Sequence, residues 1–367
     1  MSEEQLIIPW EIDSTLGKLY VPPYIEEMAL EVLQHYNFKV NQMEVMATKE
    51  EKGGLIWKIE TDQGPKSLKI LHRRPIRSLF SIGAQEYLRK IKKARVPSIV
   101  KTNTGENTVE MGGKIWFVAE WIESLYEVKK DLEGTKILSN AIGEFHHLSK
   151  GYVTPIGAEH ASRLYRWPKA YKRTIKKMKW FKDVANTHND MPASRLILST
   201  IDTFQEQARR ALTMLENSPY SQLTARGNKE WGLAHQDYGW GNGKMGTGGM
   251  WIIDLDGVAY DIPIRDLRKL IEESLENLGK WDVSWILEIL EAYHEANPIE
   301  DAVFEILLID MALPNLFYKN MKEMLYEPRL FLDEKLKSDV ERIIELDHTK
   351  WPVIEQLRKE WKGGKNK

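Results

Sequence analysis

Three side chains in the stretch LAHQDYGWGNGKMGTGGMWIIDLDG, residues 233–257, could share one piece of chemistry: Asp237, Asn242 and Asp254. GKM and MWIID read as short strands joined by the Gly-rich turn GTGG. Asn242 stands at the entry of the first strand and Asp254 at the end of the second, so a hairpin would bring a carboxamide oxygen and a carboxylate together. Two such oxygens suit a hard cation such as Mg²⁺, which takes few protein ligands and keeps phosphate and water oxygens. Asp237, five residues before Asn242, could accept the proton of an attacking hydroxyl. His235 reads as a brace for the loop rather than a reacting group.

Phosphate chemistry also needs a fixed cation. Lys69 lies in SLKIL, on an expected third strand, with alternation setting it opposite Leu68 and Ile70. Glu86, in AQEYL on the following helix, is its expected partner. The order strand Lys, helix Glu, His-x-Asp-x₄-Asn, strand Asp matches the phosphoryl-transfer arrangement of kinases. Taken singly, Asp254 reads equally as a strand-end cap, Lys69 as a surface lysine and Glu86 as a helix-face charge; the ordered set carries the reading. Gly53-Gly54, with Lys49 and Lys52 nearby, is no G-x-G-x-x-G and reads either as a phosphate contact or as an ordinary turn. His146-His147 reads as packing and loop bracing, since adjacent residues point to different sides of a helix.

The elements around these residues change texture along the chain. Residues 1–39 form an N-terminal extension with one helical pattern opening at Pro22-Pro23. Residues 40–121 alternate as about five strands, with a helix over roughly Ser78 to Lys92 after the third. From 122 to 367 the pattern is helical: Leu132–Leu148, Arg166–Lys182, Ala193–Leu215, Ile264–Leu278, Val283–Ala296, Glu300–Tyr318 and Asp339–Lys362. The hairpin of residues 242–254 is the strand-like interruption in this half, and the tail Lys362–Lys367 reads as disordered. The expected class is α+β, in the two-lobed layout of the protein-kinase-like fold: a small β-rich N-lobe and a large mainly helical C-lobe.

Composition narrows the partners. The 367 residues carry 52 Lys and Arg against 54 Asp and Glu, for a net charge of −2, which gives no general field for nucleic acid. There is no Cys, so disulfides, thiolate zinc sites and Cys nucleophiles are excluded. The acidic start MSEEQLIIPWEID is no signal peptide, and no run reaches the roughly 18 apolar residues of a membrane span. The basic, aromatic stretch YRWPKAYKRTIKKMKWFK reads as a solvated helix face or as a seat for an acidic or peptide partner.

HQDYGWGN, WIIDLDG and DIPIRDL together resemble the aminoglycoside-phosphotransferase and choline-kinase branch of the kinase-like fold. SLKILHRRPIRSLFSIGAQEYL, HQDYGWGN and IIDLDGVAYDIPIRDLRKL resemble more closely the CotS/CotI-type spore-coat proteins, from about Val40 to the C-terminus. The resemblance implies ATP and Mg²⁺ as cofactors, Asp237 as catalytic base, Asn242 and Asp254 as metal ligands, and Lys69 with Glu86 as phosphate anchor. It sets Asp256 where protein kinases have Gly, as a second acidic contact or a structural one. It gives Asp261 and Asp266 the acidic positions that brace the catalytic loop. It also implies synthesis in the mother-cell cytoplasm followed by a place in the spore coat. Gln236 in place of a common Gly and the poor Gly53-Gly54 lid depart from the pattern.

Two functions follow. One is a kinase transferring the γ-phosphoryl group of ATP to a hydroxyl, on a small alcohol or on a Ser/Thr of another coat protein. The other is a structural coat component with a kinase-like fold and little or no turnover. The sequence leaves the acceptor and the oligomeric state open.

Overall fold

A computed structural model describes residues 5–11, 19–326 and 335–361, so the tail 362–367, expected to be disordered, lies outside them. The chain forms two compact units. The first comprises residues up to Glu127, Gly151–Ala161 and Asn242–Ala259; the second comprises Val128–Lys150, Ser162–Gly241 and residues from Tyr260 onward.

The first unit is built on a six-stranded antiparallel sheet: β1 (Val40–Lys49), β2 (Gly54–Thr61), β3 (Lys66–Leu71), β4 (Ile99–Val100), β5 (Val109–Met111) and β6 (Lys114–Glu120). The strand order is β1-β2-β3-β6-β4, with β5 also on β6. Helix α1 (Pro23–Leu33) lays Ile25, Ala29, Val32 and Leu33 on one sheet face, against Trp57, Leu68, Ile70 and Trp116. The two indoles stack at 5.9 Å, and period-2 alternation turns the intervening side chains to the other face. Helix α2 (Pro75–Glu86) continues into a π-helical turn over Tyr87–Ile91.

The second unit opens with α3 (Leu132–Ser149), capped by the Asp131 carboxylate on the Gly134 amide at 2.9 Å. Two long helices follow, α4 (Trp167–Thr187) and α5 (Pro192–Glu216), then the short α6 (Tyr220–Ala225) and α7 (Asn228–Trp231). Beyond β7 (Leu233–Ala234), the chain enters the first unit as the hairpin β8 (Gly243–Gly246) and β9 (Gly249–Ile252), and it returns through β10 (Ala259–Tyr260). The remaining helices are α8 (Ile264–Leu278), α9 (Val283–Ala296), α10 (Asp301–Ala312), α11 (Asn315–Tyr326), α12 (Lys335–His348) and α13 (Lys350–Glu360). Among the described residues, no helix is long and apolar enough to cross a membrane.

Three differences from the sequence reading have local causes. The hairpin packs with the first unit rather than the helical half: Tyr126 and Met245 exchange backbone bonds of 3.0 and 2.9 Å, and the Ile252 amide donates to the Arg95 carbonyl at 2.9 Å. The expected helix over 300–318 is two, α10 and α11, because Pro314 forces Leu313 into extended backbone. The expected helix over 339–362 is also two, since the Pro352 ring would clash with the His348 carbonyl in a continuous helix.

Candidate active site

The first unit holds the charged end of a pocket. On β3, Leu68 and Ile70 enter the core, so Ser67 and Lys69 face the opposite way. Lys69 sits between Ile56 and Phe117 across the ladder, and Ser67 beside Ala119. These five residues line a cavity of about 430 Å³ with Met46, Trp121, Ile122, Asp254 and Asp256 among its other walls. A mainly apolar volume of that size, closed at one end by charge, has the makeup of a small-molecule site.

At that charged end Lys69 Nζ lies 2.5 Å from Asp254 Oδ1 and 2.9 Å from Asp256 Oδ1. Lys49, the last residue of β1, approaches the other Asp254 oxygen at 3.7 Å. Burial pulls the Lys69 ammonium toward neutrality, but Asp256 and Asp254 together hold its pKa above the ordinary value. Asp256 is raised, by burial first and by the charge of Asp254, with Lys69 opposing. Beside them the His72 imidazole is pushed down to about 4, by burial and then by Lys49, Arg73, Lys52 and Lys69. The edge next to the β1–β2 connection thus carries Lys49, Lys52 and Arg73, with Glu50 and Glu51 in the same turn and Lys52 paired to Glu51 at 2.8 Å.

The hairpin sets the acidic pair. Gly243 pairs with Ile252, and the Ile253 amide donates to the Asn242 carbonyl at 3.0 Å. The ladder thus brings Asn242 and the residue before Asp254 to its open end. Asp254 itself adopts left-handed backbone at φ 57°, a conformation costing a β-carbon residue about 1 kcal/mol. The single 3₁₀ turn Leu255–Gly257 follows, and Arg77 from α2 braces it by donating to the Gly257 and Val258 carbonyls at 3.3 and 2.5 Å.

Two expected features of this end take other forms. Glu86 is not the ion-pair partner of Lys69: its carboxylate pairs with Lys90 at 2.8 Å and Lys101 at 3.7 Å. The helix changes to π geometry immediately after Glu86, and Lys69 is already held by two nearer acids. Gly53 has a turn role, closing the 3₁₀ turn Glu50–Lys52 at φ 65° with its amide on the Glu50 carbonyl. Gly54 pairs with Lys49 in the ladder, and a β-carbon there would lie 3.0 Å from that of His72.

The second unit holds the loop after β7. His235 and Gln236 are buried, as are Tyr238 to Trp240, while Asp237 between them is exposed. Asp266, at the start of α8, anchors the loop by accepting the His235 amide at 2.5 Å and the Gln236 amide at 3.0 Å. His146 Nε2 lies 3.2 Å from the same carboxylate. Burial alone would raise Asp266; the His146 hydrogen bond and the neighbouring positive charge bring it down to about 2. Asp261 accepts the Trp167 indole N–H at 2.7 Å, its neighbour Ile262's backbone amide at 2.9 Å and the Gln236 side-chain Nε2 at 3.3 Å. Lys269 donates to the Gln236 carbonyl, and the Tyr238 hydroxyl to the Leu138 carbonyl at 2.9 Å.

Gln236 also carries a positive φ, 74°, and its carboxamide oxygen accepts from Arg163 at 2.8 Å. A glycine would take that backbone without strain; here four hydrogen bonds hold the glutamine in it. Among the described residues no three His, Asp or Glu side chains gather as a metal site by themselves.

A family model described as "Spore coat putative kinase YutH" matches residues 76–356. The chain belongs to that family. It is 27% identical over 340 residues to spore coat protein S of Bacillus subtilis (strain 168), covering 92% of this chain and 96% of the relative. Among solved structures, it superposes on an aminoglycoside phosphotransferase from Alicyclobacillus acidocaldarius with a TM-score of 0.71 at 15% identity, over 93% of this chain and 96% of the other. Amicoumacin kinase hAmiN, solved with AMP-PNP, Ca²⁺ and Ami, matches with a TM-score of 0.59 at 15% identity, over 94% and 100%. At that identity the likenesses establish the fold alone, which is the two-lobed protein-kinase-like fold.

The sequence reading missed three contributors. Lys49 was noted only as a cation near two glycines, and its approach to Asp254 depends on how the β1–β2 ladder ends. Lys269 and Arg163 carry no local signal, since their contacts to Gln236 span 33 and 73 residues.

Proposed function

We propose that this spore coat family member is a kinase that transfers the γ-phosphoryl group of ATP to a hydroxyl, with Mg²⁺ as cofactor. The observation carrying this reading is the apolar pocket of the first unit, which ends on Lys69 bound between Asp254 and Asp256. The donor set fits the cation: two carboxylates and the Asn242 carboxamide are hard oxygens, with room left for phosphate ligands. A divalent cation held there would neutralise charge on the phosphate oxygens. Lys69, kept charged by its acids, and Lys49 supply the fixed cations for the phosphates. Met46, Ile56, Phe117 and Ile122 offer apolar surface to a purine ring. Asp237 is exposed on a loop held by Asp266 and Asp261, as a proton acceptor must be. It takes the hydroxyl proton as the acceptor oxygen bonds to the γ-phosphorus and the bond from that phosphorus to the ADP oxygen breaks. The acceptor is a Ser/Thr of another coat protein or a small alcohol. The protein is made in the mother cell and ends in the spore coat.

Two observations favour the second reading, a coat component with little or no turnover. The β1–β2 connection offers one Gly pair, occupied in a turn and a ladder, and Glu86 pairs away from Lys69.

One set of melts and assays separates the two. At about a hundredfold its dissociation constant, Mg-ATP should stabilise the wild type by about 2.7 kcal/mol. Asp254→Ala should lose that shift. Asp237→Ala should keep it and transfer no phosphate. Lys69→Met should lower transfer far more than it lowers the melting temperature of the free protein. Absence of any Mg-dependent shift at millimolar ATP decides for the structural reading.

A further inference from the structure

Helix α4 carries a charge pattern that neither the loop bracing nor the nucleotide pocket uses. Its 21 residues include seven Lys or Arg and one Asp, in a chain whose net charge is −2. Trp167, Tyr171, Thr174, Met178, Phe181 and Ala185 are its buried face. Arg166, Lys169, Arg173, Lys176 and Lys179 lie on the exposed side. At 100° per residue they fall, with Trp180, within one continuous arc of the helix. Among the described residues, none of these five meets a carboxylate, whereas Lys172 is paired with Glu216 at 2.9 Å and Lys182 with Asp202 at 2.6 Å. Asp183 is the one acid along this face, in the last turn. At that far end Trp180, 37% exposed, packs on Tyr326, and Lys177 lies 4.7 Å over its ring. The near end is tied to the loop of Asp237: Trp167 donates to Asp261, Gln236 donates to the same carboxylate, and Arg163 donates to Gln236.

We infer that this face of α4 is the docking surface for the phosphoryl acceptor, and that the acceptor is an acidic, extended peptide segment bearing the reactive hydroxyl. The inference rests on the kinase reading for its purpose and on charge complementarity for its occupant. The helix is about 30 Å long, the span of roughly nine extended residues. A row of unpaired cations at that length matches a run of Asp and Glu, with the Trp180–Tyr326 platform to receive an apolar side chain at one end. A bilayer surface suits it poorly, because the apolar face of α4 is spent on the interior of its own unit. Nucleic acid suits it poorly too, because the slightly negative chain supplies no wider positive field. A cationic small molecule would be repelled.

The probe is a fluorescein-labelled nonapeptide of Glu with one central Ser, read by anisotropy against a Gln-for-Glu control of the same length. The wild type should bind the acidic peptide, with affinity falling as salt rises from 50 to about 300 mM. The triple variant Lys169→Glu, Arg173→Glu, Lys176→Glu should lose roughly tenfold or more in affinity with an unchanged circular-dichroism melt. Should that variant melt early, Lys169→Gln with Arg173→Gln and Lys176→Gln replaces it and should show a smaller loss in the same direction. Asp237→Ala should bind like wild type, so this result stands or falls apart from catalysis and from the Mg-ATP melts. The inference is overturned if wild type ignores the acidic peptide at 50 mM salt, if the Gln peptide binds as well, or if the variants bind unchanged. It is equally overturned if an oligonucleotide of equal charge or phosphatidylserine vesicles bind more tightly than the peptide.

Discussion

Gln236 shows how a single residue can hold a strained backbone in place. Its φ of 74° costs about 1 kcal/mol relative to glycine, while its side chain joins Arg163 to Asp261. Hydrogen bonds to charged partners contribute about 1.5–3 kcal/mol each when buried. Removing the side chain therefore costs more than relieving the strain returns. Gln236→Ala keeps the strain and loses both bonds, so urea unfolding should read a loss of about 3 kcal/mol. Gln236→Gly loses the same bonds but relaxes the backbone, so the loss should be about 2 kcal/mol. Equal stability of the two variants would show that the glutamine conformation carries no cost. The substitution of a common Gly was visible in the sequence; the two ionic partners that make it tolerable were not.

At the scale of elements, close approach fixes α3. A β-carbon built on Gly134 would lie 1.9 Å from the Lys129 carbonyl oxygen, and that oxygen belongs to backbone. Gly134 also donates its amide to the capping Asp131. Gly134→Ala should therefore destabilise by about 3 kcal/mol, even though alanine is the better helix former. A chemical denaturation midpoint equal to wild type would mean that the 129–134 turn yields easily. Elements of this kind differ in how far they can be read ahead. The facing of Lys69 followed from period-2 alternation, and the hairpin followed from GTGG between two apolar runs. The partner of Glu86 did not follow, because Lys90 at i+4 was readable but the choice between it and the distant Lys69 is made by tertiary packing. Nor did the ends of α10 and α12, where one Pro in a long apolar pattern decides between one helix and two.

For the whole molecule, the buried acids of the second unit tie stability to pH. Asp266 has a folded pKa of about 2, below its ordinary value, because His146 and nearby cations favour the carboxylate over the cost of burial. A depressed acid contributes stability that is fully present above its unfolded pKa, near 4, and that is lost as pH falls toward 2. The contribution at neutral pH is about 2 kcal/mol. Asp266→Asn should remove it, so the variant's unfolding free energy should be lower at pH 7 and change less between pH 4 and 2. Wild-type and variant curves running parallel through that range would rule out the proposed linkage. The same carboxylate orients the loop of Asp237, so the variant should also lose any transferase activity.

The exposure of Asp237, set among buried neighbours, has one more consequence. What gives the loop its shape is Asp266, Asp261 and Lys269, reaching in from beyond it, together with the loop's own Tyr238, whose hydroxyl is anchored on the Leu138 carbonyl. The one side chain proposed to move a proton is the one turned toward water. A lineage could exchange that residue and keep an intact shell-building part, or restore it and regain an enzyme, by a single codon change with little penalty in folding. On the kinase proposal, scaffold and catalyst would thus be separate inheritances carried on one chain.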